Sequence, residues 1–126
     1  MLERLSILNG LVHPCVIQME EDLAAKALAK DPAGIVVVEA AILIETGSYK
    51  RFDRLILAFC TEEQQLQRAT ERDGFTLEEA KARLRRQMPL SGKRKYADYV
   101  IDTSSTKEHT VQQTRQVYES LRSIQV

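Results

Sequence analysis

Apolar side chains near the start of the chain recur at intervals of three and four residues, which is the spacing of one face of a helix. The pattern runs through Leu2, Leu5, Leu8, Leu11 and Val12. Pro14 has no amide hydrogen, and its ring crowds the preceding turn of a helix. We therefore expect this helix to end or kink near residue 12 and to resume over about residues 15–28.

Three short apolar runs follow, and within them apolar and polar positions do not alternate. They lie at residues 35–38, 54–60 and 99–102. A continuous β-branched or apolar run is typical of a strand that is covered on both faces, as in a parallel sheet. The sequence therefore predicts three strands of such a sheet.

Helix starts between these runs are marked by a hydroxyl residue three positions before a glutamine or glutamate, which is the spacing of a capping box. The pairs are Thr61 with Gln64, Thr76 with Glu79, and Ser105 with Glu108. They predict helices at 62–73, 77–88 and 106–123, the first of which is closed by Gly74 as a left-handed cap. Alternating strands and helices predict an α/β fold with a parallel sheet.

Length and charge narrow the class of protein. A chain of 126 residues predicts one domain, and 18 basic against 18 acidic side chains argue against a general nucleic-acid binder. No apolar run approaches the roughly 20 residues of a membrane span, and the first ten residues lack a signal pattern. We expect a cytoplasmic protein with no membrane partner, in which Cys15 and Cys60 are free thiols and no Cys/His cluster binds zinc.

Positive charge is concentrated between residues 81 and 95, where no acidic residue occurs. The seven basic side chains are Lys81, Arg83, Arg85, Arg86, Lys93, Arg94 and Lys95. They flank the break Pro-Leu-Ser-Gly at 89–92, an arrangement suited to a lid that closes over polyphosphate, because arginine matches phosphate oxygens and lysine adds a mobile charge. A solvated helix face would show the same charges, so both interpretations stay open at this point.

A longer pattern surrounds this basic segment. Residues 65–102 contain Q-L-x-R-x-x-x-R-D-G, then Glu-Glu-Ala, Arg-x-x-x-Gln, a lysine and Ala-Asp-x-V-I-D, and this order resembles the C-terminal half of the dephospho-CoA kinase family. The residues that match are Gln65, Leu66, Arg68, Arg72, Asp73, Gly74, Glu78, Glu79, Ala80, Arg83, Gln87, Lys93, Ala97, Asp98, Val100, Ile101 and Asp102. Upstream, the His13-Pro14 pair and the segment that contains Glu45, Gly47, Tyr49 and Lys50 also resemble the family.

The resemblance implies a P-loop nucleotide-kinase fold with a parallel sheet and lid helices. It also implies transfer of a phosphoryl group from ATP, with Mg²⁺, to the ribose 3′-hydroxyl of dephospho-CoA, with no covalently bound cofactor. Residues 1–30 would be substrate-domain helices, 35–60 sheet strands, 77–95 the lid, and 99–126 the last strand and C-terminal helix. The implied lid residues that bind nucleotide or phosphate are Arg72, Arg83, Gln87 and Lys93. His13 and Glu45 would lie on the substrate side, although His13 fits a helix-packing role equally well.

The sequence departs from the family at its catalytic front. None of its five glycines begins the phosphate-binding pattern G-x-x-x-x-G-K-[ST], and the family's catalytic aspartate has no counterpart. Ala41 stands where the family usually has proline, and Thr103 stands where an asparagine often follows the last strand. We therefore expect the chain to be inactive on its own, or to be a nucleotide- or CoA-binding module or a subunit whose partner supplies the P-loop.

The missing P-loop strand also has a structural consequence. In the family's fold it lies between the strands that correspond here to 35–38 and 54–60. An open slot would leave unpaired amides and carbonyls. We expect the chain to close the slot by direct pairing, to form a homodimer through it, or to be marginally stable.

Overall fold

The computed structural model describes residues 2–124, with side chains described at position 4 and from position 12 onward. The chain divides into two compact units, residues 1–39 and 40–126, which are described in turn. Within the described residues, no helix is both long enough and apolar enough to cross a membrane.

The first unit contains one long helix, α1, which spans Leu2–Lys30 with Pro14 inside it. Of the end or kink expected near residue 12, the end is therefore wrong, and the kink stays a prediction. Pro14 removes one hydrogen bond, to the carbonyl four residues back, and that position is Gly10, which gives the backbone freedom to adjust. A helix of 29 residues keeps its other backbone bonds on both sides of this one defect.

The strand predicted at 35–38 is not formed. Residues 34–40 are irregular, and the sheet of the described residues has two strands, to neither of which this segment belongs. Ile35, Val36 and Val37 are exposed, Val37 by 74%. β-branched residues favour extended backbone, but a strand also needs a hydrogen-bonded neighbour. Direct pairing across the predicted slot is therefore not observed, while dimerisation and marginal stability stay predictions.

The second unit holds the predicted α/β arrangement. Its elements, in chain order, are a 3₁₀ turn at Ser48–Arg51, β1 at Ile56–Phe59, α2 at Glu62–Arg72, α3 at Leu77–Arg85, α4 at Leu90–Lys93, a 3₁₀ turn at Arg94–Tyr96, β2 at Tyr99–Asp102 and α5 at Lys107–Arg122. The strands β1 and β2 are parallel, with Ile56 opposite Tyr99 and Phe59 opposite Asp102. The predicted fold class is confirmed, and both carboxyl ends of the strands lie at one edge of the sheet.

Two of the three predicted helix caps form where expected. Thr61 and Gln64 make both bonds of a capping box, and the Thr76 hydroxyl accepts from the amide three residues on. The third prediction is wrong by one residue: Thr106, not Ser105, caps α5. The backbone turns into the helix only after residue 105, so the amide of His109 meets the Thr106 hydroxyl at 3.2 Å.

Helix α3 ends three residues earlier than predicted, at Arg85. Pro89 cannot donate to the carbonyl of Arg85, and a residue before proline disfavours the helical conformation, so Met88 leaves the helix. Residues 86–89, which we call the α3–α4 linker, therefore separate the two helices of the predicted lid. At the end of α2, Gly74 has the expected positive φ of 72°.

The most enclosed apolar side chains of this unit come from β1, from the residue that follows it, and from α3 and α5. They are Leu57, Cys60, Ala80 and Val117. Among the described residues, the one charged side chain that is equally enclosed is Lys93, which is 5% exposed. This cation lies at the end of α4, inside the predicted lid.

Candidate functional site

The carboxyl-terminal edge of β1 and β2 carries two depressions. In open α/β sheets, ligands bind outside this edge. One cleft of about 390 Å³ lies between residues 59–65 and residues 84–91. A second groove of about 320 Å³ lies beside Arg68 and residues 103–110. We take the edge with its two depressions as the candidate site.

The larger cleft joins the end of β1 to the predicted lid. Its walls include Phe59, Cys60 and Thr61 from the strand end, and Gln87 and Met88 from the α3–α4 linker. The structure therefore brings Gln87, one of the predicted site residues, to the edge of the sheet. Apolar walls with a few polar groups are typical of small-molecule sites.

Two other predicted site residues, Arg72 and Arg83, lie at the surface and do not line this cleft. The Arg83 guanidinium lies over the ring of Phe75, 4.1 Å from its centre. The Arg72 side chain is 79% exposed and pairs with its neighbour Asp73 at 3.2 Å. Each of these contacts is made at the surface, so a ligand can reach both guanidinium groups.

The structure brings Lys93 and Glu45 together. The Lys93 ammonium Nζ lies 3.2 Å from Glu45 Oε1 and donates to the Ala41 carbonyl at 3.0 Å. The other carboxylate oxygen of Glu45 accepts from the amide of Met88 at 3.2 Å. In this arrangement the charge of Lys93 is balanced inside the protein and is not presented to solvent, so the predicted phosphate contact has no support from its placement.

His13 lies on α1, in the other unit, and is half-buried. Its predicted substrate-side role and the alternative packing role both stay predictions.

Arg68, which was not among the predicted site residues, organises the second groove. Its guanidinium donates to the Thr103 hydroxyl at 3.0 Å and to the Thr103 carbonyl at 2.7 Å. Gln64, one turn earlier on α2, donates to the Ser104 carbonyl at 2.8 Å. Thr103 in turn donates to the Phe59 carbonyl, from its amide at 2.8 Å and from its hydroxyl at 3.1 Å. Two side chains of α2 thus hold the loop that follows β2.

The carboxylate of Asp102 shapes the same loop from within. It accepts from the Ser104 amide at 2.8 Å and from the Ser104 hydroxyl. Hydrogen bonds from the Ser104 hydroxyl and then from the Ser104 amide lower the pKa of Asp102 and outweigh the opposing effect of desolvation, with smaller contributions in the same direction from His109 and Arg94. Gln113 brackets the backbone of Asp102, since it donates to its carbonyl and accepts from its amide, both at 2.8 Å. The loop therefore has an ionised anchor at neutral pH.

The sequence carried a signal for Arg68 but not for its partners. Arg68 is the arginine of the Q-L-x-R pattern, which was read only as part of a resemblance. Its contacts with Thr103 join positions 35 residues apart, which helical or strand periodicity does not report. A metal site is not indicated, because the described residues contain no cluster of three His, Cys, Asp or Glu side chains placed to hold an ion.

Comparison with known proteins gives a consistent result. The family model "CoaE: Dephospho-CoA kinase" matches residues 2–109. A dephospho-CoA kinase of Rhizobium meliloti (strain 1021) is 39% identical over 121 residues, which are 96% of this chain and 62% of that protein. A dephospho-CoA kinase of Aquifex aeolicus (strain VF5) is 38% identical over 119 residues, or 94% of this chain and 59% of the relative.

Solved structures agree with the sequence comparison. TT1252 from Thermus thermophilus superposes with a TM-score of 0.74 at 32% identity, covering 96% of this chain and 61% of that one. A dephospho-CoA kinase from Campylobacter jejuni gives a TM-score of 0.61 at 26% identity, covering 97% and 60%. The chain therefore spans about three fifths of the length of each of these four proteins.

Proposed function

Because the chain belongs to the dephospho-CoA kinase family, we propose that it serves phosphoryl transfer from ATP to the ribose 3′-hydroxyl of dephospho-CoA, which gives ADP and CoA. The observation that carries this proposal is the family match over residues 2–109, which includes the whole predicted lid. ATP and dephospho-CoA are accordingly the proposed small-molecule partners.

Within this proposal, residues 77–95 act as the lid over the nucleotide. Arg72 and Arg83 are the proposed phosphate contacts, and their exposed guanidinium groups support that role. Gln87 helps to place the lid, as its position on the cleft at the end of β1 supports. The guanidinium groups of arginines neutralise charge on a transferred phosphoryl group, and closure of a lid excludes water. The groove beside Arg68 and Thr103 is the proposed contact with the base of the nucleotide.

We further propose that the chain does not transfer phosphate on its own. The sequence contains no G-x-x-x-x-G-K-[ST] loop, and surface arginines cannot replace a preorganised phosphate cradle. The described residues contain no group of three His, Cys, Asp or Glu side chains that would hold Mg²⁺. The same missing loop favours a second candidate function, which is a nucleotide- or CoA-binding module or a subunit that needs a partner's P-loop.

Two further properties belong to this proposal. The exposed apolar run at 35–37 supports association through the unpaired segment, and a homodimer is the expected form. Light scattering on the purified chain tests this, and a monodisperse monomer would contradict it. A cytoplasmic location stays a prediction.

The deciding experiment combines turnover with binding on the full 126-residue chain. CoA formation from ATP and dephospho-CoA is followed by chromatography, and ATP binding is followed by calorimetry. We expect no CoA above the protein-free blank, and saturable ATP binding that Arg83→Ala weakens by roughly tenfold, since a charge-assisted hydrogen bond is lost. Turnover by the chain would contradict the proposed inactivity.

Arg115→Ala is the matched control, because Arg115 is an exposed arginine on α5 outside the lid. It should leave ATP binding unchanged. Equal effects of the two substitutions would mean that α3 carries only a solvated basic face, and a chain that binds no ATP would contradict the binding-module alternative.

A further inference from the structure

The Lys93 ammonium contacts a carboxylate and a backbone carbonyl, both of which stabilise a cation. Its side chain is 6% exposed, and that of Glu45 is 19% exposed. Glu45 Oε1 is buried and makes no aligned hydrogen bond within the described residues, so the Lys93 ammonium 3.2 Å away balances its charge. The Ala41 carbonyl accepts from the same ammonium at 3.0 Å. A buried charge is tolerated only with such partners.

The same carboxylate also reaches the α3–α4 linker. Glu45 Oε2 accepts from the amide of Met88, which lies in that linker, while Oε1 faces Lys93 at the end of α4. One side chain therefore connects the linker and the helix that follows it to residues 41–45. A third contact supports the same junction, because the rings of Tyr49 and Tyr96 meet edge to face with centres 5.6 Å apart.

We propose that Glu45 and Lys93 are positioning residues that latch the root of the lid, and that Lys93 is not a phosphate ligand. The latch consists of the Glu45 carboxylate, the Lys93 ammonium, the Ala41 carbonyl and the Met88 amide. It fixes residues 86–93, which follow α3, against residues 41–45. It thereby sets the position from which the exposed arginines of α3 reach a ligand. The term lid depends on the proposed function, whereas the latch itself does not.

Two interpretations of Lys93 make opposite predictions for its partner. If Lys93 binds phosphate, Glu45→Gln releases the cation and leaves ATP binding unchanged or tighter. If Lys93 positions the lid, Glu45→Gln and Lys93→Met each leave one buried charge unpaired, and both disturb the linker. The double variant removes both charges with side chains of similar size, so it should restore the latch geometry.

The first measurement is amide hydrogen exchange of Met88 in the free chain, which needs no ligand. We expect each single variant to speed exchange of this amide by roughly tenfold or more, beyond any change at the amides of β1 and β2, because each leaves a buried charge without its partner and so disturbs the linker. The double variant should return towards the unsubstituted rate. Lys26→Met, which makes the same chemical change at an exposed site on α1, should change nothing at Met88.

The second measurement is ATP binding by the same four variants. Positioning predicts that both single variants bind more weakly and that the double variant recovers, although it has no lysine at position 93. A double variant as weak as Lys93→Met, together with normal Glu45→Gln, would overturn the proposal in favour of a phosphate ligand. Unchanged Met88 exchange in both single variants would overturn it even if the chain binds no ATP, so its failure is distinguishable from failure of the proposed function.

Discussion

The two halves of the basic segment look alike in sequence and differ in the fold. In α3, Arg83 lies at the surface over an aromatic ring, where water and ligands reach it. In α4, Lys93 is enclosed and paired with a carboxylate. A cation without an acidic partner can still bind an anion, whereas a cation paired in the interior holds parts of the chain together. From this difference we expect the partner of a charge, and not the local density of charge, to decide its role.

The strongest test of this contrast is the stability of Lys93→Met. We expect the free energy of unfolding to fall by about 3–5 kcal/mol, the range for breaking a buried ion pair from one side. Urea denaturation at neutral pH measures this, and the double variant with Glu45→Gln should recover most of the loss. Lys26→Met provides the surface control and should stay within about 0.5 kcal/mol of the unsubstituted chain. A Lys93→Met chain as stable as that control would remove the contrast.

An intermediate case sharpens the comparison. Arg68 is half-buried, and its partners are a hydroxyl and a carbonyl instead of a carboxylate. Arg68→Ala should lower the free energy of unfolding by about 1–3 kcal/mol, because it leaves the loop after β2 without two hydrogen bonds. Thermal melts measure the loss, with Arg115→Ala as the exposed arginine control. If Arg68→Ala is as stable as that control, the half-buried Arg68 side chain and its uncharged partners contribute nothing to the stability of the fold.

An anion at the same edge extends the comparison to pH. Hydrogen bonds from Ser104 lower the pKa of Asp102 below its ordinary value of 3.8. A carboxyl whose pKa is lower in the folded state stabilises the fold above its unfolded pKa, and that stabilisation is lost as pH falls through the folded value. Urea stability followed from about pH 5 downward should therefore fall less steeply in Ser104→Ala than in the unsubstituted chain. Equal slopes would mean that the hydrogen bond from the Ser104 hydroxyl does not favour the ionised form of Asp102.

Local patterns predicted the elements whose cause is local. Strand β2 has the predicted bounds, 99–102, and the Thr61 capping box forms as its spacing indicates. The strand at 35–38 failed because its apolar run says nothing about a hydrogen-bonded neighbour. The helix does not end at Pro14, because one lost hydrogen bond is small beside the rest of a 29-residue helix.

The candidate site followed the same division. Gln87 lines the cleft, and the sequence placed it near the end of a helix, which is where the α3–α4 linker begins. The environment of Lys93 was not predictable, because the Ala41 carbonyl that it contacts is 52 residues away in the chain. A resemblance names the lysine but not its partner. Contacts across such distances depend on how the whole unit packs.

The smallest expected effect on stability is the most informative about function. Arg83 contacts the ring of Phe75 at the surface, and an exposed cation–π contact contributes about 0.5–1 kcal/mol. Arg83→Ala should therefore lower the free energy of unfolding by no more than that in urea denaturation, while it weakens ATP binding far more than the Arg115 control. Lys93→Met should show the opposite: a large loss of stability, and a loss of ATP binding that is recovered when Glu45→Gln is added to it in the double variant. If Arg83→Ala instead unfolds the chain as readily as Lys93→Met, the surface cation is structural, and the two halves of the basic segment do not differ in the way that their environments indicate.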